Sequence, residues 1–191
     1  MGLLLHCFSI AAAAERADEP PDIEALYRQY REPLLRYLQR LCGSPELAEE
    51  LVQDTFVKAY VGLVAFRGDC SVATWLFRIA RNLYLNSLRR PSAVRVDTDV
   101  LTAIPDGRNA GDPVRQAAAN EQRDRIGLAL AQLPERYRSV LLLRDAEGLS
   151  YIEIADVLGM SLAAVKVSLF RARNAFRSAF RELEGADDDT V

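Results

Sequence analysis

The chain has 191 residues, of which 50% are hydrophobic and 27% charged, and its net charge is -3. This length and balance exclude a chain that is disordered throughout and allow one larger or two small domains with a buried core. The acidic net charge argues against a general nucleic-acid coat protein. Cations are nevertheless concentrated in two segments, with five arginines against one acid in residues 67–90 and five cations and no acid in residues 159–181. These segments predict two separate nucleic-acid contacts.

The cysteines and the single histidine, His6, are scattered, with no CxxC pair and no zinc spacing. Cys7, Cys42 and Cys70 are therefore predicted to be free thiols in a reducing cytoplasm, and no metal or cofactor is expected. A redox or metal-sensing role for the thiols is the alternative. The apolar start lacks the basic residues of a signal peptide and is too short to span a membrane. We expect residues 1–21 to form a loosely held arm without membrane contact; the alternative is a true start downstream.

Two helices are predicted in the first part of the chain. The first spans residues 23–41, after a Pro-Pro pair. The second begins at residues 44–46, where Ser44 can cap the helix and Pro45 fits its first turn. One stripe of the second helix should be buried, namely Ala48, Val52, Phe56, Ala59 and Leu63.

The opposite face of the second helix mixes apolar and charged residues. It carries Leu51, Asp54, Val57, Lys58 and Val61. A solvated surface does not need three apolar side chains at this spacing, so the face indicates a docking site for a partner. The alternative is a helix that is buried on both sides.

A third helix is predicted over residues 72–90, after a loop at residues 66–70. One of its faces carries an aromatic ring, two amides and two guanidiniums at helical spacing: Trp75, Arg78, Asn82, Asn86 and Arg89. Trp and Arg can stack on unpaired bases, and Asn can bond to base edges. The stripe therefore indicates binding of single-stranded nucleic acid. In the alternative interpretation, Trp75 belongs to the core and the arginines only improve solubility.

Periodicity is lost after residue 91. Pro-Asp-Gly and Gly-Asp-Pro sequences with scattered acids predict a flexible linker over residues 92–120. A second domain should then occupy residues 121–184, followed by an acidic tail at residues 185–191. No strand-rich segment is present, so the predicted fold class is all-α, with two small helical domains joined by the linker.

Residues 149–173 have the pattern of a helix-turn-helix. Ser150 and Glu153 form a capping box for a short helix that ends at Gly159, and Ser161 caps the next helix. That helix should bury one face, Val165, Leu169, Ala172 and Phe176. A neighbouring face carries Lys166, Phe170, Arg173 and Arg177, and the helix would lie in a DNA major groove. The alternative is an ordinary αα-hairpin with a solvated charged face.

Two blocks of sequence carry a resemblance to a known family. The first block is AEELVQDTFVKAYVGLVAFRGDCSVATWLFRIARNLYLNSLRR, and the second is LPERYRSVLLLRDAEGLSYIEIADVLGMSLAAVKVSLFRARNAF. In this order, and with a helix-turn-helix in the second block, they resemble the extracytoplasmic-function (ECF) sigma factors of the sigma-70 family. This resemblance is highly specific because FRGD, TWLFRIARN and LPERYR occur together in one chain.

The resemblance implies a function in transcription initiation for the first domain, residues 22–91. This domain would bind the β′ clamp helices of core RNA polymerase through Leu51, Gln53, Asp54, Val57 and Lys58. Its FRGD loop and third helix would melt the minus-10 element and hold the non-template strand. The residues implied are Arg67, Gly68, Asp69, Cys70, Ser71, Trp75, Arg78, Asn82, Asn86 and Arg89.

For the second domain the resemblance implies recognition of the minus-35 element as duplex and contact with the β flap. The residues implied are Ser161, Lys166, Val167, Phe170, Arg171 and Arg173. An anti-sigma factor is implied as a further partner, in the cytoplasm. Where the family commonly reads G-T-V-K-S-R-L, this chain has Ala163, Ala164, Val167 and Ser168 in place of Gly, Thr, Ser and Arg. This difference implies a missing DNA contact and a promoter preference of its own.

Two other classes of function stay open on the residues alone. One is a helix-turn-helix regulator with an N-terminal sensor domain, which would bind an operator without polymerase. The other is an enzyme with an accessory DNA-binding domain. No nucleophile–base pair or metal cluster is recognisable in the sequence, so we do not expect an enzyme.

Overall fold

A computed structural model describes residues 22–89 and 113–188, with side chains for residues 22–89 and 120–185. The helices of the first domain are α1 (Ile23–Cys42), α2 (Pro45–Gly62) and α3 (Val72–Ser87), with a short 3₁₀ turn, Leu63–Ala65, after α2. The second domain has α4 (Pro113–Ala131), α5 (Glu135–Leu141), α6 (Tyr151–Leu158) and α7 (Leu162–Asp188). All regular structure within these ranges is helical, which confirms the predicted all-α fold. The predicted N-terminal arm, residues 90–91 of the predicted first domain, residues 92–112 of the predicted linker and residues 189–191 lie outside the described residues.

The predicted start of α2 is confirmed by its cap. The Ser44 hydroxyl accepts a hydrogen bond from the Leu47 amide at 3.2 Å, and Pro45 is the first helical residue. The preceding helix ends at Gly43, which has a left-handed backbone with φ of 73° and donates its amide to the Gln39 carbonyl. A side chain would be strained in that conformation, so glycine lets the chain reverse tightly between α1 and α2.

The core of the first domain is formed by all three of its helices. Tyr37 from α1 and Phe77 from α3 are fully buried and meet edge to face, with ring centroids 5.4 Å apart. Leu34 and Leu38 from α1 and Leu76 from α3 are also fully buried. Burying one such side chain stabilises a fold by about 1.5–3 kcal/mol, so this cluster holds α3 rigidly on α1.

The prediction that Leu51 lies on the outer face of α2 is wrong. Leu51 is only 3% exposed, and the buried positions of the helix are Ala48, Leu51, Val52, Thr55, Phe56 and Ala59. The reason is that α2 packs against both α1 and α3, so its buried face is wider than a single stripe. Leu51 therefore contributes to the core and is not available to a partner.

Helical structure begins within the predicted linker. Helix α4 starts at Pro113, so residues 113–120 of the predicted linker are helical. These residues lack an amphipathic period, but Pro113 fits the first turn and the alanines that follow have the highest helix propensity of any residue. Helix α7 likewise continues to Asp188, into the predicted acidic tail.

The two domains pack directly against each other. Helix α3 lies on α6, and α1 lies on α5 and on the turn that follows α5. The Tyr37 hydroxyl is 3.3 Å from the Ser139 hydroxyl, and both side chains are buried. The guanidinium of Arg138 donates to the Leu41 carbonyl at 2.7 Å, across the two domains, and to the Ala131 and Leu133 carbonyls at 2.8 and 3.1 Å.

A wide helical turn, Leu142–Ala146, leads from α5 to the helix-turn-helix and is closed by a bond from the Glu147 amide to the Leu142 carbonyl. It places the Glu147 side chain in the contact between the domains, with Oε2 3.7 Å from Arg36 and Oε1 buried without a hydrogen-bond partner. Burial raises the pKa of Glu147 to about 7, while Arg36 and Arg40 favour the ionised form. The folded protein therefore keeps this carboxyl protonated at pH values where the unfolded chain has released the proton.

The stability of the protein should consequently depend on pH through Glu147. The contribution of the protonated Glu147 carboxyl to the free energy of unfolding is fully present below about pH 4.5, the pKa of this group in the unfolded chain. It is lost as the pH rises through about 7, the pKa in the folded protein. At 1.36 kcal/mol per pKa unit, the free energy of unfolding should fall by roughly 3 kcal/mol at most across this interval. In Glu147→Gln the melting temperature should fall less between pH 5 and pH 8, as measured by circular dichroism. Equal pH slopes in variant and parent would contradict this assignment.

Candidate nucleic-acid interface

The outer face of α2 is apolar and exposed. Val57, Tyr60, Val61 and Val64 follow one another at helical spacing along α2 and the 3₁₀ turn, and Val64 is 94% exposed. The predicted docking residues Gln53, Asp54 and Lys58 are exposed on the same helix. Without Leu51, the exposed face thus still carries a continuous apolar strip with polar neighbours. The sequence interpretation did not include Tyr60 and Val64, although their i, i+3 and i+4 spacing from Val57 and Val61 was a usable signal.

The FRGD loop leads into α3. Gly68 has φ of 74°, a left-handed conformation that disfavours side chains, and Arg67 and Asp69 beside it are exposed. The loop ends at Ser71, whose hydroxyl accepts a hydrogen bond from the Thr74 amide at 3.1 Å and so caps α3. The loop is therefore fixed at its C-terminal end and presents charged side chains to solvent at the start of the helix.

Trp75 is half-buried at the junction of the loop with α2. Its ring centroid is 4.8 Å from that of Phe66, and a Cβ added at Gly62 would lie 3.1 Å from Trp75 Cζ2. The close approach of the indole explains why a glycine occupies the end of α2. Trp75 is thus partly packed and partly open to solvent, so it does not lie wholly in the core.

The remaining residues of the predicted α3 stripe differ in accessibility. Asn82, Asn86 and Arg89 are exposed, whereas Arg78 is half-buried and donates to Asp156 of α6 at 2.9 Å. Helix α3 ends at Ser87, so Arg89 lies in the turn after it and not within the predicted helix. The structure therefore brings the two asparagines together on the solvent side of α3 and places Arg78 against the second domain.

The helix-turn-helix forms as the sequence predicted. The Ser150 hydroxyl accepts from the Glu153 amide at 3.3 Å, and the Glu153 carboxylate accepts from the Ser150 amide at 2.9 Å, which completes the capping box. Gly159 ends α6 with φ of 62°, and the Ser161 hydroxyl accepts from the Ala164 amide at the start of α7. Val165, Leu169 and Ala172 are buried, and Phe176 is half-buried and stacks on Phe180.

The outer face of α7 is exposed and mixes cations with apolar groups. Lys166, Val167 and Arg171 are exposed, and Phe170 is 68% exposed between them. Lysine and arginine suit phosphates and guanine edges, and an exposed aromatic can contact a thymine methyl. Arg173 is held differently, because its guanidinium makes two hydrogen bonds to Asp145, at 2.6 and 3.1 Å. Ser168 is buried, so the position where the family commonly has arginine faces inward in this chain.

No cluster of three or more His, Cys, Asp or Glu side chains that could hold a metal occurs among residues 22–89 and 120–185, for which side chains are described. Cys42 and Cys70 are free thiols, and burial raises the pKa of both. Cys7 and His6 lie in the part of the chain that is not described. None of the described helices is long and apolar enough to cross a membrane.

Taken together, these surfaces define a two-domain helical DNA-binding protein, with an aromatic and amide face on one domain and a helix-turn-helix with an exposed basic face on the other. Comparison with known proteins identifies the family to which the chain belongs. Residues 26–93 match the sigma-70 region 2 model, and residues 123–176 match the sigma-70 region 4 model.

Relatives of known function agree with the family models. The chain is 39% identical to RNA polymerase sigma factor YlaC of Bacillus subtilis over 79% of this chain and 87% of that one. It is 30% identical to the ECF RNA polymerase sigma factor SigW of the same organism, over 81% and 86%. The ECF sigma-E factor of Escherichia coli is 32% identical over 81% and 84%.

Solved structures show the same fold. The sigma factor RpoE bound to the anti-sigma factor NepR, from Bartonella quintana, matches with a TM-score of 0.68 at 24% identity, over 84% of this chain and 97% of that one. CnrH bound to the cytosolic domain of CnrY matches with a TM-score of 0.62 at 28% identity, over 84% and 88%. The chain belongs to the sigma-70 family, as an RNA polymerase sigma factor of the extracytoplasmic-function group. It directs RNA polymerase to promoters and serves transcription initiation.

Proposed function

We propose that the two domains divide promoter recognition between single-stranded and duplex DNA, and that α2 attaches the protein to core polymerase. The observation that carries this proposal is the presence of three exposed surfaces of different chemistry on one chain. The first is the apolar outer face of α2, the second is the amide and aromatic face of α3, and the third is the basic face of α7. Catalysis is left to the polymerase.

On the first domain, the non-template strand of the minus-10 element is assigned to the loop and to α3. Arg67 at the loop is placed to meet phosphate, and Asn82 and Asn86 present exposed amides that suit an unpaired base. Trp75 offers the part of its indole that Phe66 and Gly62 leave uncovered as a stacking surface. Gly68, Asp69, Cys70, Ser71, Arg78 and Arg89 complete the assigned strand-binding residues.

On the second domain, α7 is assigned to the minus-35 duplex. Lys166, Val167, Phe170 and Arg171 form its exposed face, and Ser161 caps its start. The amides at a helix N-terminus attract phosphate, which suits a helix that enters a groove end-on. Arg173 joins this surface only when it leaves Asp145.

The partners follow from these surfaces and from the relatives. We assign the β′ clamp helices to the outer face of α2, the β flap to the second domain, and the cytoplasm as the compartment where polymerase is met. An anti-sigma factor is proposed as a regulator, because one similar solved protein, the sigma factor RpoE, is described in complex with an anti-sigma factor. An apolar strip such as that on α2 is the kind of surface that a protein partner covers.

The docking assignment can be tested with a charge in the apolar strip. Val57→Glu combined with Asp54→Lys should weaken binding to an isolated β′ clamp-helix fragment at least about tenfold, since an unpaired charge would be buried in the contact. Val57 is 63% exposed, so the fold should be unaffected. Ile152→Glu is the matched control, because Ile152 is 72% exposed but lies on α6 of the second domain.

Affinity can be measured by biolayer interferometry and folding by circular dichroism. If the variant is folded and binds the clamp-helix fragment as tightly as the control, the assignment of α2 as the docking surface is wrong. If the helical signal is lost instead, the outer face of α2 belongs to the core, and the assignment is equally wrong.

A further inference from the structure

The centre of the outer face of α7 is apolar. Ala163, Val167 and Phe170 follow one another at i, i+4 and i+7, so they form one line along the helix. All three are exposed, Val167 to 50% and Phe170 to 68%. This apolar line lies opposite the buried side of α7, which includes Leu169 and Ala172. The part of the helix that projects furthest from the domain is therefore hydrophobic.

Two cations border the apolar line. At about 100° per residue, Lys166 falls on one side of the line and Arg171 on the other, and both side chains are exposed. Residues 159–181 contain five cations and no acid. Such a surface suits a partner that is negatively charged and also presents apolar groups. The major groove of DNA is such a partner, because phosphates border it and thymine methyl groups project into it.

The length of the apolar line fits that groove. Ala163 and Phe170 are seven residues apart, which corresponds to about 10 Å along the helix at about 1.5 Å per residue. The major groove is about 12 Å wide. The nearest amide on this face, that of Asn174, lies one turn beyond Phe170, and its oxygen accepts from Arg177 at 3.0 Å. The segment that fits within the groove is thus the apolar line with its two bordering cations.

This segment lacks most of the side chains that read bases by hydrogen bonds. Residues 161–171 contain no Asp, Glu, Asn or Gln, the residues that bond to cytosine or, at two points, to adenine. The hydroxyl of Ser161 accepts from the Ala164 amide at 3.2 Å, and Ser168 is buried. Two kinds of base contact remain. Lys166 or Arg171 can bond to guanine, and the apolar line can contact the thymine methyl.

We propose that α7 reads thymine in the minus-35 duplex through the C5 methyl group of the base. The methyl packs on the apolar line, while Lys166 and Arg171 contact guanine or phosphate on either side. The inference rests on the proposed function in one respect, namely that α7 enters the major groove of the minus-35 element. That element therefore contains T·A pairs whose methyl groups face Val167 and Phe170.

The methyl group makes this contact specific for thymine. Adenine, guanine and cytosine present no methyl group in the major groove, so only thymine offers the apolar line a partner. Burial of one such carbon changes affinity by about fourfold. The cations alone cannot supply this preference, because contacts to phosphate carry no direct sequence information.

The test removes the thymine methyl groups and leaves base pairing intact. Uracil pairs as thymine does but has no C5 methyl. The probe is a promoter duplex identified by run-off transcription, with uracil in place of thymine at one position of the minus-35 element at a time. Closed-complex affinity of the holoenzyme is measured by competition in a mobility-shift assay at one salt concentration. We expect a loss of about three- to fivefold at each contacted thymine. Uracil outside the two promoter elements is the DNA control and should have no effect.

Two variants assign the loss to the apolar line. In Val167→Ser and in Phe170→Ser, uracil at the thymine contacted by the altered residue should no longer reduce affinity, because the contact is already lost. Both positions are exposed, so circular dichroism should show an unchanged fold. Ile152→Ser is the matched control, since Ile152 is 72% exposed on α6, and it should retain every effect of uracil.

Each other outcome overturns the methyl contact. If the parent tolerates uracil at every thymine of the minus-35 element, or if the element has no T·A pair, α7 does not read thymine methyl groups. A loss that is equal in the parent and in both serine variants arises from the DNA and not from the apolar line.

The proposed function is judged separately by Lys166→Ala and Arg171→Ala on the unmodified duplex. If these variants lose closed-complex affinity while uracil has no effect, the methyl contact is rejected and the assignment of α7 to the minus-35 duplex is retained. If neither the alanine variants nor uracil change affinity, both are wrong, and the outer face of α7 is left for a protein partner.

Discussion

Asn82→Ala should reduce open-complex formation on a fully paired promoter by about five- to a hundredfold while leaving closed-complex binding within about twofold. Asn82 is exposed on α3, so we expect the loss to report a contact to DNA. A base contact is worth about 1–3 kcal/mol. Because that base is available only after the strands separate, the substitution should reduce open-complex formation and not closed-complex binding.

Trp75→Ala should have a similar effect on opening, since stacking on an unpaired base is worth about 1–3 kcal/mol. Its ring also packs on Phe66, so circular dichroism and the melting temperature must first show that the variant is folded. Asn82→Ala does not change a packed ring, so its effect on opening is the easier of the two to interpret.

Substitutions on α7 provide the contrast. Lys166→Ala and Arg171→Ala should weaken closed-complex binding, by about 1–3 kcal/mol where a base contact is lost. Loss of a phosphate contact alone should lower the salt slope by about one unit. A template with a pre-melted bubble over the minus-10 element should rescue Asn82→Ala and Trp75→Ala more than Lys166→Ala, as measured by potassium permanganate footprinting. Equal rescue of both groups would contradict the division of labour between the domains.

The largest expected loss of stability comes from Arg138→Ala. The guanidinium of Arg138 donates to the carbonyls of Leu41, Ala131 and Leu133, so its removal leaves three acceptors without that donor. One unsatisfied buried acceptor costs about 1–3 kcal/mol, and we expect a total loss of at least about 2 kcal/mol. For a chain of this size each kcal/mol lowers the melting temperature by about 2–4 °C.

Arg136→Ala is the matched control, because Arg136 lies on the same helix, α5, and is exposed. It should change the melting temperature by no more than about 1–2 °C, since exposed substitutions away from special features stay within about 0.5 kcal/mol. If the two variants melt at the same temperature, Arg138 does not bridge the domains as described.

Local patterns in the sequence predicted most of the individual helices. The caps at Ser44, Ser150 and Ser161 depend on residues no more than three positions away, and the helix end at Gly159 depends on backbone conformation. Such short-range chemistry is present in the sequence itself. The buried stripe of α7 was also predicted, since helical periodicity alone places Val165, Leu169 and Ala172 on one side.

The features that the sequence did not predict depend on neighbours distant in the chain. Leu51 was placed outside because the pattern of α2 does not show that two helices, α1 and α3, cover it. Arg78 was placed in an open stripe because Asp156, its partner, is 78 positions away. The role of Arg138 was not predicted either, since the LPERYR motif gives no indication that its last arginine reaches the Leu41 carbonyl. A contact between domains produces no periodic pattern in the sequence of either domain, so sequence periodicity cannot predict it.

The central claim is that this chain gives core RNA polymerase its promoter specificity. The most direct measurement is run-off transcription from a genomic fragment library by purified core polymerase, with and without the chain, followed by mapping of transcript 5′ ends. We expect discrete new start sites that share two upstream sequence elements and that disappear when either the chain or the polymerase is omitted. The opposite result, unchanged transcription together with tight binding of the chain alone to a specific operator, would contradict the account and favour a stand-alone helix-turn-helix regulator.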